Sequence, residues 1–149
     1  MKIIGDGGHA TVCRECFTHG EGTFIAVGDN AARFREVLKA QGPFATLIAI
    51  GSFVSRTATI GEGTIIMAGA IVAAGARIGK HCIVNHGASV DHHCVIEDYA
   101  HIAPGAHLCG GVHVGEGALV GVGVGIEPGV TIPAWSIVKR ERYTICPMK

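Results

Sequence analysis

The sequence predicts a mainly β chain: a parallel β-helix wound from hexapeptide repeats, behind a small truncated α/β N-terminal cap. Three observations predict it. Every sixth residue from Ile48 to Val138 is aliphatic, sixteen in succession, although Ile, Leu and Val make up only 36 of the 149 residues. An unbroken period of that length marks stacked repeats. Three residues after each aliphatic, ten of the fifteen positions from 51 to 135 are glycine, the residue that enters a turn which a β-carbon opposes. One residue further on the side chains are mostly small, with Ala58, Thr64, Ala70, Ala76, Cys82, Ala88, Cys94, Ala100 and Ala106. Small residues fit where a narrow column closes.

Residues 1–45 form the cap. "KIIGDGGHA" reads as a short strand, a glycine loop and the start of a helix running to about His19. "TFIAVGDNAARFREVLKAQGP" repeats that plan with a strand over Phe24 to Val27, a capping Asp29 or Asn30, a helix to Ala40 and Gly42-Pro43 as its stop. A βαβα cap results. Glycine amides at a helix start can cradle phosphate, and a tight strand-to-helix turn explains the same glycines equally well.

Residues 46–139 form the column. Each hexapeptide is a short strand and a turn, three close a triangular coil, and about five coils stack at the strand spacing of about 4.8 Å. Residues eighteen apart then lie one above another. Inward Cys82 and Cys94 are small core residues on this reading. Residues 140–149 are a tail.

Composition narrows the function. Twelve basic residues balance twelve acidic ones, which gives nucleic acid or a charged membrane surface nothing to read. Apolar runs such as Thr64 to Ala74 contain glycines and fall short of the roughly 20 residues of a membrane span. The N-terminus lacks the apolar core of a secretory signal, so the protein is expected to be cytoplasmic and its six cysteines reduced.

The column carries most of the nine histidines. With coils of eighteen, His92 has Ala74 below and Gly110 above, and His93 has Gly75 and Gly111. That corner leaves room for a ligand. His86 shares the turn phase of His92 on another corner, while His101, His107 and His113 go to three different corners. A neutral imidazole can accept the proton of an attacking amine or hydroxyl, and glycine-turn amides could receive a developing oxyanion. His81 and His86 have the H-x4-H spacing of hexapeptide-repeat carbonic anhydrases, but Ala45 stands where that family takes a third zinc ligand, and open zinc sites want three. A zinc-dependent hydratase is thus the alternative enzyme, and a non-catalytic trimeric remnant the alternative non-enzyme.

The stretches "IIGDGGHA", "AVGDNAAR" and "IGEGTIIMAGAIVAAGARIGKHCIVNHGASVDHHCVIEDYAHIAPGAHLCGGVHVGEGALVGVG" resemble, in order and spacing, the sugar acetyltransferases of the sialic acid O-acetyltransferase and UDP-N-acetylbacillosamine N-acetyltransferase type. The resemblance implies a left-handed β-helix, a homotrimer with sites between subunits, acetyl-CoA as co-substrate and a nucleotide-linked amino sugar as acceptor. It implies His92 as general base, His101 at the acetyl end of the coenzyme, Gly110 as amide donor to the thioester oxygen and Val122 along the coenzyme groove. Gly7, Gly8, His9 and Gly28 match the nucleotide loops, and Asn85 matches a residue near the sugar. The chain departs from the family in three places. His93 stands where a carboxylate usually follows the base, leaving Asp91 or Glu97 as possible orienters. The cap lacks a βα unit between Cys16 and Thr23. The chain ends with "VKRERYTICPMK", where Lys139, Arg140 and Arg142 could meet the coenzyme phosphates.

Overall fold

The computed structural model describes residues 1–16 and 21–139. The front segment holds β1 (Lys2–Ile4), α1 (Gly8–Cys16), β2 (Thr23–Ile25) and α2 (Asn30–Lys39), with β1 and β2 parallel. Asp29 caps α2 by accepting from the Ala32 amide, and the Ala40 amide closes the other end. The strand expected over Phe24 to Val27 ends two residues sooner, at Ile25, level with the last residue of its partner β1, Ile4. The helix expected to reach His19 is described only to Cys16.

Sixteen two-residue strands follow, from β3 (Leu47–Ile48) to β18 (Ile137–Val138), one for each hexapeptide. They form three parallel sheets, one of six strands and two of five, in a left-handed parallel β-helix. The register is eighteen throughout: Ile65 pairs with Ile83, Ser89 with His107 and Val95 with His113. The first residue of each strand faces out and the second faces in. His101, His107 and His113 are first residues, so they stand on three faces rather than at corners. Val72, Val84 and Val90 alternate in the interior with Ala70, Ala76, Ala88 and Ala100, all at 0% exposure. Cys82 and Cys94 are part of that core, and burial pushes the Cys82 thiol up to about 12.

A second core joins the front segment to the six-stranded face. The outward residues Leu47, Ile65 and Ile83 pack with Met67 against Ala10, Cys13, Phe24 and Ala26, each large aliphatic contributing about 1.5–3 kcal/mol. Polar contacts fix its position. Arg33, only 1% exposed, donates to the carbonyls of His81 and Tyr99 in the column and of Val27 and Gly28 in the front segment. Asn30 donates to the next carbonyls along that corner, those of Gly117 and Ala118.

Among the described residues, four that are not glycine occupy the left-handed turn position: His81, His93, Tyr99 and Trp135, with φ from 53° to 60°. Each costs about 1–2 kcal/mol. Three of the four stack at the corner under the front segment. His81 lies against Tyr99 with rings 5.4 Å apart, Phe44 meets His81 edge-on at 4.6 Å, and Phe34 meets Tyr99 and Trp135 at 5.1 and 5.8 Å. Docking offsets their strain. His93, on another corner, has no hydrogen bond or ring contact with the front segment among the described residues.

Candidate active site

The column brings His92, His93 and Gly110 together on one exposed corner. Asp91 holds the turn, its Oδ1 accepting from the His92 amide at 2.6 Å. The His92 ring then lies over bare backbone: a β-carbon added to Gly110 would come within 2.4 Å of Cε1 and 2.6 Å of Nε2. Similarly the His93 ring lies over Gly75. The two rings meet Nδ1 to Nδ1 at 3.1 Å, nearly perpendicular.

At this corner the coil ladder uses the amides of Cys109 and Gly111, which donate to Ile126 and His92. The Gly110 amide between them has no backbone acceptor among the described residues. At three other turns the matching amide meets a carboxylate, as His92 meets Asp91, Lys80 meets Asp98 and Glu116 meets Glu97. At Gly110 a donor remains open beside the imidazole. An open amide near a proton acceptor is the pairing that acyl transfer needs, since the attacking group loses a proton while the carbonyl oxygen gains charge.

The orienters expected for His92 are engaged elsewhere. Asp91 bonds the backbone of His92 rather than its ring, and Glu97 accepts from His113 Nε2 at 2.7 Å and the Glu116 amide at 2.9 Å. The His113 bond holds the Glu97 carboxyl below its ordinary range. The ring of His92 is left with His93.

A second group, His9, Gly28, Asn85, His86 and His101, assembles where the front segment meets the column. Asn85 donates to His101 Nε2 at 3.1 Å and its Oδ1 accepts from the His86 amide and ring at 2.8 and 3.0 Å. The His101 ring also bonds the Gly28 backbone, and His9 meets it edge-on at 5.7 Å. A β-carbon at Gly28 would press on His9 at 3.0 Å. Burial is the largest cause that lowers the His101 pKa to about 3, with Arg33 and His9 adding to it, and burial also lowers His9 and His81. His101 therefore links the two parts of the molecule through partners within the chain.

Since these histidines bind protons in the unfolded chain and resist them in the folded one, stability is complete above the unfolded value near 6.5 and is lost as pH falls below it. His101 alone gives a slope approaching about 1.4 kcal/mol per pH unit. Denaturant midpoints measured between pH 7.5 and 5 should fall accordingly; a flat profile would contradict neutral burial.

Gly7 and Gly8 open α1 with nothing within 4 Å of an added β-carbon. Beside them a cleft of about 480 Å³ is lined by Ile4, Gly5, Asp6, Val27, Ala32 and Glu36. Val122 is 68% exposed and stands two coils from His86 on the same corner. The H-x4-H pair is not assembled within the chain, because His81 is buried under Phe44 and His86 bonds Asn85 on another corner. Lys139 is exposed at the column end, while Arg140 and Arg142 lie outside the described residues. Sequence reasoning missed Arg33 and Asn30 as the link between front segment and column. It also missed His81, Tyr99 and Trp135 as the docking corner, although each interrupts the glycine phase.

Removing the space over Gly110 is a direct perturbation. The Gly110→Ala protein should fold, because the opposing group is an exposed ring that can swing aside. Displacing that ring by an ångström or so should cost about a hundredfold in kcat, measured by release of coenzyme A thiol. Full activity would separate Gly110 from the site.

Comparison with known proteins agrees with this geometry. The family model described as bacterial transferase hexapeptide (six repeats) matches residues 57–92 and 93–128. The acetyltransferase domain of PglB from Neisseria gonorrhoeae, in complex with acetyl coenzyme A, superposes with TM-score 0.86 at 28% identity over 91% of this chain and 85% of that one. PerB from Caulobacter crescentus, in complex with CoA and GDP-perosamine, superposes with TM-score 0.79 at 32% identity over 93% and 88%. A mutant of GDP-perosamine N-acetyl transferase from the same organism, also with CoA and GDP-perosamine, gives 0.73 at 36% identity over 87% and 65%. A search of curated proteins gives no match. With that degree of identity across nearly the full length of PerB, the chain belongs to the bacterial hexapeptide-repeat transferases, among the sugar acetyltransferases.

Proposed function

We propose that the protein transfers the acetyl group of acetyl-CoA to the amine of a nucleotide-linked amino sugar, for bacterial glycan synthesis in the cytoplasm. The observation that carries this reading is the His92 ring over bare Gly110, beside an amide with no backbone acceptor among the described residues. The acceptor amine adds to the thioester carbonyl while His92 Nε2 takes its proton. The carbonyl oxygen gains charge facing the Gly110 amide. Collapse breaks the carbon–sulfur bond, and the coenzyme leaves as a thiol with the proton returned by His92. The acceptor becomes an amide.

Two further elements belong to this reading. The cleft between β1, β2 and α2 has the place of a nucleotide crevice, outside the carboxyl ends of parallel strands, so the front segment holds the nucleotide near Gly7, Gly8 and His9. Ile50, Phe53 and Ile71 are 98%, 59% and 46% exposed along the second face and its edge. Such an apolar strip supports association of like chains, here as a homotrimer with the site between subunits. Val122 then borders the coenzyme groove.

Calorimetric titration tests the reading. Acetyl-CoA should bind within the micromolar-to-millimolar range usual for enzyme substrates, followed by one member of a panel of UDP-, dTDP-, CMP- and GDP-linked amino sugars. Absence of any heat at millimolar acetyl-CoA would favour a non-catalytic trimer. Nothing in the geometry favours the zinc hydratase.

A further inference from the structure

Three of the four strained turn residues dock the front segment, and the fourth, His93, has His92 as its ring's one hydrogen-bond partner among the described residues. A glycine would serve this turn without strain, as Gly75 and Gly111 do one coil below and above. A non-glycine residue held in the left-handed region away from any docking element points to use of its side chain. The strain must be matched by what the ring does.

We propose that His93 is a positioning residue for His92, and that the pair carries one shared proton in a fixed direction: His92 Nδ1–H donates to the lone pair of His93 Nδ1. The inference deepens the acetyltransferase reading and rests on it. Two Nδ1 atoms at 3.1 Å can share only one hydrogen, so one ring donates and the other accepts. The Nε2 end of His92 lies over Gly110, beside the open amide. To take a proton there, His92 must carry its own hydrogen on Nδ1, and His93 must carry its hydrogen on Nε2. Neither carboxylate nearby performs this task, since Asp91 bonds a backbone amide and Glu97 is held by His113 and Glu116. An imidazole lone pair thus does the orienting usually done by a negative charge. It fixes the ring and accepts from the imidazolium that forms when His92 takes up its second hydrogen.

The test has two parts on the full chain. Long-range proton–nitrogen correlation spectra of histidine-labelled protein, at alkaline pH and without substrate, should find His92 hydrogenated on Nδ1 and His93 on Nε2. The opposite tautomers, or rapid averaging, would overturn the proposal. Because no acetyl transfer is needed, this result stands apart from success or failure of the functional reading. In the second part, His93→Asn places an amide oxygen where Nδ1 was and tolerates the left-handed turn, so its kcat should stay within about threefold of wild type. His93→Gln, whose amide reaches past that point, and His93→Gly, which has no acceptor, should lose about ten- to a hundredfold in kcat with the KM for acetyl-CoA retained, the range typical of metal-bound histidines that lose the partner orienting their ring. His93→Gly should melt no lower than wild type, which separates orientation from folding. Retained kcat in His93→Gly, or equal loss in Asn and Gln variants, would sink the idea.

Discussion

Replacing His92 with alanine lowers kcat by about 10²- to 10⁴-fold and leaves the fold in place. The side chain is exposed, its ring bonds only His93 among the described residues, and the coil ladder at that turn runs through backbone groups, with the His92 carbonyl accepting from Gly111. Truncation therefore removes the proton acceptor while the hydrogen bonds that define the corner persist. Affinity for acetyl-CoA should change little, because the Gly110 amide is part of the backbone. Coenzyme thiol release and thermal melting, measured together, check both halves. Wild-type turnover in this variant would take His92 out of the chemistry.

The second large effect falls on Arg33. Replacing it with methionine keeps most of the volume and should cost about 3–5 kcal/mol, because it takes the side-chain donor from the His81, Tyr99 and Val27 carbonyls at once. The guanidinium spans His81, Tyr99, Val27 and Gly28 together, and Asn30 Oδ1 as well. Burial lowers its pKa only to about 10, so it stays charged at neutral pH. Lysine should not rescue it, since a single ammonium cannot address carbonyls on both sides of the junction. The loss should be local. The column has its own core, so hydrogen exchange should rise in β1, β2 and α2 and change little along the coils. Uniform acceleration through the column would show that the two parts share one cooperative unit.

The column was legible because its information is one-dimensional: a residue's face, corner or core follows from its place in a six-step count, and eighteen residues separate vertical neighbours. That count put His92 beneath Gly110 and His93 beside Gly75, and the same contacts occur in three dimensions. Contacts between the front segment and the column follow no period. Arg33 sits in "AARFREV" like any exposed helix residue, yet it reaches carbonyls 48 and 66 positions away. His101 could be numbered but not oriented. Its neighbours Asn85 and Gly28 come from the coil below and from the front segment, and they leave its ring buried at the junction between the two. The exceptions at 81, 99 and 135 in the glycine phase were the one readable hint of docking. A side chain tolerated at a left-handed turn must be held by some contact of its own, which the front segment supplies at these three positions and the His92 ring at His93.

The central claim is a single bond exchange, acetyl from sulfur to the nitrogen of an amino sugar. Its most direct measurement incubates the protein with acetyl-CoA and each nucleotide-linked amino sugar in turn, reading free thiol and product mass in the same sample. The account predicts that one of these acceptors gains an acetyl group as an equal amount of thiol appears. If thiol release with every acceptor matched that in buffer alone, the account would be contradicted.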